Sequence, residues 1–136
     1  MEFEGLKQVF QFEVSRYAYT DGERKLRLRK AYREIEAILR ETVRDLELGG
    51  SGGRFIAYGP LAQKLAQNTQ KLSGECARYQ GVLSPEMARA LTTLSAYLSK
   101  AQEQASTRCD TLGAELPKWA QELDALKRTL GKVHQL

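Results

Sequence analysis

The stretch PEMARALTTLSAYLSKAQEQASTRCDTLGAELPKWAQELDALKRTLGKV, Pro85 to Val133, decides the fold. From Met87 its apolar positions run Leu91, Leu94, Leu98, Ala101, Ala105, Cys109, Leu112, Leu116, Trp119, Leu123, Leu126, Leu130 and Val133. The steps alternate between four and three residues, which keeps one line of side chains on one side of a helix and makes a heptad seam. A repeated step of four around Ala105 marks a phase slip. Ser84 followed by Pro85 supplies a start, with the serine as N-cap and the proline at the first helical position. Gly113 and Pro117 interrupt the stretch, and a proline inside a helix removes a hydrogen bond and crowds the preceding turn. The seam keeps its phase across Pro117, so the expectation is one long, kinked C-terminal helix, on the order of 70 Å from end to end.

Upstream, Phe55, Tyr58, Leu61, Leu65, Leu72, Cys76, Tyr79 and Leu83 form another helical stripe, bounded by Pro60 and Gly81. It predicts an αα-hairpin with the long helix. Leu28, Tyr32, Ile35, Leu39, Val43 and Leu46 repeat the four-three spacing, and Thr20 with Glu23 has the form of a capping box, so a helix is expected from about Asp21 to Glu47. The first segment reads two ways. Phe3, Leu6, Phe10, Val14 and Tyr17 share a helical face, whereas Phe10, Phe12 and Val14 alternate like a strand that would return as a hairpin over Thr20-Asp21-Gly22. Helix is preferred, because an isolated two-stranded hairpin is marginal in water and nothing else offers a third strand.

Gly49-Gly50-Ser51-Gly52-Gly53 has no side chain able to pack. It reads as an inserted flexible linker at 49–53 between an N-terminal helical segment, 1–48, and a helical hairpin, 54–136. A short tether is useful where the joined pieces already meet, so the two segments are expected to pack on one another. The fold expected is therefore all-α: an elongated antiparallel helical bundle or coiled coil. The long seam could be covered by the N-terminal helices or by a second copy of the chain, as a homodimer.

With 136 residues, 42% apolar and 28% charged, the chain has the composition of one ordinary folded domain. No run approaches the roughly 18 apolar residues of a membrane span, and the N-terminus lacks the pattern of a signal peptide. A cytoplasmic or nuclear location is expected, with Cys76 and Cys109 reduced.

Signs of chemistry are few. His134 is the single histidine and lies near the C-terminus, where fraying is usual. No Cys/His cluster, acidic calcium loop or phosphate-binding glycine pattern is present, so no catalytic residue, cofactor or metal is expected. Carboxylates such as Glu34, Glu36, Glu41 and Asp45 are spread among arginines and read as solvated i,i+4 partners. The run Arg24-Lys25-Leu26-Arg27-Leu28-Arg29-Lys30 is the sharpest surface feature. It reads first as a solvated helical face, then as an anion contact through Arg24, Lys25, Arg27, Arg29 and Lys30, with anionic membrane ahead of nucleic acid. Tyr17, Tyr19 and Tyr32 lie near it and either pack in the bundle or mark an interface. Lys and Arg against Asp and Glu number 10 and 10 in 1–48 and 11 and 7 in 54–136, so the net +4 is not concentrated in the run.

The function expected is a non-catalytic scaffold or adaptor acting through coiled-coil or helix-in-groove binding of protein partners. Its interface residues would be Leu28, Tyr32, Ile35, Leu39, Leu91, Leu94, Leu98, Trp119, Leu123 and Leu126. The alternative is a peripheral membrane-binding helical dimer that sets a basic face on anionic lipid.

Overall fold

The computed structural model describes residues 3–51, 59–106 and 112–135. They form five α-helices, α1 (Glu4–Ala18), α2 (Gly22–Ser51), α3 (Gly59–Arg78), α4 (Pro85–Ser106) and α5 (Leu112–Gly131), followed by a 3-10 turn, Lys132–Gln135. Among the described residues there is no strand. The strand-like alternation in the first segment therefore does not decide its fold, and the helical face does: Leu6, Phe10, Val14 and Tyr17 are buried, while Phe12 is 61% exposed.

α1 ends where the amides of Tyr19 and Thr20 bond back to the carbonyls of Arg16 and Tyr17. The Thr20 hydroxyl donates to the Arg16 carbonyl at 2.9 Å. It thus closes α1, where a capping box opening α2 was expected, and among the described hydrogen bonds none joins it to Glu23. Gly22 then takes φ +70°, a left-handed conformation that a side chain would strain, and turns the chain into α2. α2 runs on to Ser51, into the first half of the glycine stretch. Gly52 and Gly53, along with Phe55 and Tyr58 of the expected α3 stripe, lie outside the described residues.

α3 and α4 form the expected hairpin through a turn in which the amides of Val82 and Leu83 bond the Tyr79 carbonyl and Gly81 takes φ +84°. Ser84 caps α4 as expected, its hydroxyl accepting the Met87 amide at 3.1 Å.

The seam of Pro85 to Val133 is divided between two helices that run in opposite directions. Three ion pairs set α3 antiparallel to α2: Lys64 with Asp45, Lys71 with Glu41 and Arg78 with Glu34. The tight turn sets α4 antiparallel to α3, so α4 runs with α2. α5 runs against α2, since Leu46 and Glu47 lie beside Pro117 and Ala120, and Glu36 lies beside Gly131 and His134. A single kinked helix of about 70 Å is therefore not what this sequence forms. Residues 107–111, including Cys109, lie outside the described residues. Pro117 falls in the second turn of α5, where it costs the helix the bond to the Gly113 carbonyl close to its start.

The principal packing pairs close a ring: α2 with α3, α3 with α4, α4 with α1, α1 with α5, and α5 with α2. One apolar core fills it, with Phe10, Leu28, Tyr32, Ile35, Leu39, Leu65, Leu72, Leu91, Leu94 and Leu126 all at 0% exposure. The described seam residues of α4 and α5 are buried within the one chain, so no second copy is needed to bury those.

A candidate interaction surface

The ten residues expected at a protein interface all lie in this core. Leu28, Tyr32, Ile35 and Leu39 on α2, Leu91, Leu94 and Leu98 on α4, and Trp119, Leu123 and Leu126 on α5 are each at most 8% exposed. They join segment 1–48 to segment 54–136 within one molecule.

The basic run is distributed around the first two turns of α2. Arg24, Arg27 and Lys30 are exposed, Leu28 is buried, and Leu26 is 66% exposed. The Lys25 ammonium sits over the Tyr17 ring, 5.0 Å from its centroid. Arg29 is half-buried. The five cations therefore do not converge on one anion site. Tyr17 and Tyr32 pack edge to face in the bundle with centroids 5.7 Å apart, whereas Tyr19 is 89% exposed.

Beside this run, where the α1–α2 and α3–α4 turns come together, lies an open groove of about 560 Å³. Arg16, Arg24 and Arg89 line it together with Cys76, Tyr79 and Pro85. Arg16 is engaged below by Glu13 at 2.8 Å and by the Val82 carbonyl at 3.3 Å, and Arg89 stands 3.8 Å from Glu86.

Under the groove, Glu13 is fully buried. Its carboxylate accepts from the Tyr32 hydroxyl at 2.7 Å, the Arg16 guanidinium at 2.8 Å and the Ser84 hydroxyl at 2.5 Å. Burial and the adjacent carboxylate push the Tyr32 phenol well above its ordinary value, so it stays a donor. The sequence reading missed Glu13. Its position on the core face of α1, between Phe10 and Val14, was the available signal.

The carboxylates expected to be solvated i,i+4 partners mostly reach across to other helices. Asp45 is buried and accepts from Asn68 at 3.0 Å, with Lys64 at 3.5 Å. Glu36 meets His134 at 2.8 Å and Arg40 at 3.5 Å. Glu34 accepts from the Tyr79 hydroxyl at 2.6 Å and also meets Glu75 across the α2–α3 interface. Two carboxyls can hydrogen-bond only when one carries a proton, and desolvation together with the bond to Glu34 pushes Glu75 up to about 7. The bond to Glu75 and the Tyr79 hydroxyl hold Glu34 below its usual value, against its own desolvation. Burial, then the Glu75 charge, raises the Cys76 thiol, making it a poor nucleophile.

These groups are built into helix contacts, and none of the described residues form a group of three or more His, Cys, Asp or Glu able to hold a metal ion. No described helix is long and apolar enough to cross a membrane. No protein-family model matches the chain, and no match is found among curated proteins or solved structures.

Proposed function

We propose that the chain is a non-catalytic scaffold or adaptor module that recognises other proteins through helix-on-helix contacts of the coiled-coil type. The position of α2 supports this reading most. Its core face is covered jointly by α3 and α5, which lie on the far side of the glycine stretch, so segments 1–48 and 54–136 meet along the core itself. The junction is a helix–helix interface of heptad side chains, edged by the three ion pairs from α2 to α3. The buried polar groups serve that packing, with Glu13 and Asp45 each held by partners on other helices. A cytoplasmic or nuclear setting belongs to this proposal, and the free thiol of Cys76 fits it.

The test is to produce 1–48 and 54–136 as separate chains, mix them, and follow mass by light scattering and helix content by circular dichroism. A stoichiometric helical complex is expected. Two segments that fold alone and ignore one another would remove the reading.

A second reading, a peripheral membrane module, draws on the exposure of Arg24, Arg27 and Lys30 around Leu26. Co-sedimentation with anionic vesicles at low and moderate salt checks it, and absence of binding at both salts excludes it.

A further inference from the structure

α2 is covered by α3 on one flank and α5 on the other, which leaves one stripe of the helix turned away from the bundle. Along that stripe stand Leu26, Lys30, Arg33, Arg40, Arg44 and Leu48, with Ala37 at the midpoint, all exposed. The steps are four, three, four, three, four and four, so the stripe follows the same period as a coiled-coil seam, yet it is basic in the middle and apolar at both ends. Its partitioning of charge arises from packing. Glu34, Glu41 and Asp45 are turned to α3, where Arg78, Lys71 and Lys64 hold them. Glu36 is turned to His134. Arg40 keeps a 3.5 Å contact with Glu36, whereas Lys30, Arg33 and Arg44 form no ion pair among the described residues. Glu23 and Glu47 are the remaining acids of α2, and both are near its ends.

We infer that this outer face of α2 is the docking surface for an acidic α-helix of another protein, which lies alongside it and sets carboxylates opposite Lys30, Arg33, Arg40 and Arg44. The inference rests on the interaction-module reading and names the surface and the chemistry of its partner. A helix is favoured over the other anionic surfaces by the shape of the stripe. It is about 33 Å long at 1.5 Å per residue from Leu26 to Leu48 and narrow, with exposed Arg27, Glu41 and Glu47 at its margins, and a rod at matching period contacts it throughout. A membrane would draw on the neighbouring cations of α3 as well, and those are already paired with α2. A phosphodiester backbone would leave Leu26, 66% exposed, with nothing to bury against, while a helix can place an apolar residue there. Ala37 lets the partner approach closely at the centre.

The experiment uses the full chain and a fluorescently labelled helical peptide of about 25 residues, long enough to span the stripe, with Glu at four-three spacing and Leu at both ends. A second peptide of the same composition has its Glu residues spread around the helix. Anisotropy titration should give at least roughly tenfold tighter binding of the matched peptide, equivalent to about 1.4 kcal/mol. Its affinity should fall as NaCl is raised from about 50 to about 300 mM. Arg33→Glu with Arg44→Glu should weaken it by a further factor of roughly ten with an unchanged melting curve, and Lys100→Glu on the exposed side of α4 should leave it alone. Equal binding of the two peptides, or full binding by the double variant, overturns the inference. So does the absence of peptide binding combined with salt-sensitive binding to phosphatidylcholine–phosphatidylserine vesicles, which would assign the stripe to lipid. Mixing segments 1–48 and 54–136 is independent of this outcome: segments that associate while the peptide fails leave the interaction module standing without this surface.

Discussion

The Tyr32 hydroxyl of α2 donates to the Glu13 carboxylate of α1 at 2.7 Å in the interior of the bundle. Around one buried negative charge it joins two helices that the chain connects only by a short turn, and Ser84 brings in a third. Tyr32→Phe leaves the carboxylate with Arg16 and Ser84, and it should cost about 1–3 kcal/mol in urea unfolding. Glu13→Leu strands Tyr32, Arg16 and Ser84 together and should cost about 3–5 kcal/mol. If both variants unfolded at the wild-type midpoint, the network would have no structural weight.

Glu75 gives stability a pH dependence whose sign follows from its direction. Its folded value, about 7, lies above the ordinary 4.5, so the folded chain holds a proton that the unfolded chain releases. The contribution is complete below about pH 4.5 and is lost as pH rises through 7. Glu34 is lowered and works the opposite way, losing its contribution as pH falls below its ordinary range. Wild-type stability should therefore drop on the order of 1 kcal/mol between pH 5 and pH 8. Glu75→Gln should flatten that slope, and denaturation midpoints across the range check it.

The 3-10 turn at the C-terminus carries weight that a frayed end would not. Val133 is 1% exposed and His134 contacts Glu36. Truncation after Gly131 should lower stability by about 2 kcal/mol, read as a fall in melting temperature, whereas His134→Ala alone should cost only a fraction of that.

Leu94→Asp together with Leu98→Asp sets two charges without partners into positions that are 0% and 4% exposed. Circular dichroism should show loss of the folded state at 25 °C. Retained helicity with a cooperative melt would contradict the core assignment.

The period from Leu28 to Leu46 made α2 legible although its expected capping box does not form and the helix runs on to Ser51, whereas at the start of α4 the period and the Ser84-Pro85 signal agreed. The reversal between α4 and α5 was not. Both helices present apolar residues at the same period, and a count along the sequence cannot register a change of direction when the phase happens to be conserved. The polar run Ser106-Thr107-Arg108-Cys109-Asp110-Thr111, rich in turn and cap formers, was the mark that could have shown it. Of the candidate surface, the basic run was visible but its sorting was not. Which of Arg24 to Lys30 face outward, and that Glu34, Glu41 and Asp45 are withdrawn to α3, depends on where the other helices sit.

The contact between His134 and Glu36 joins residues 98 positions apart, and it sits at the end of a long run of α2–α5 packing. A hairpin such as α3–α4 closes a short loop and can assemble early, but α2 must wait for α5 before its second flank is covered. On a ribosome, that means α2 would stay half-sheathed until α5 has emerged. Release of α5 would then be the event that commits the nascent chain to its native core, and premature termination before Leu112 would expose an apolar strip prone to aggregation.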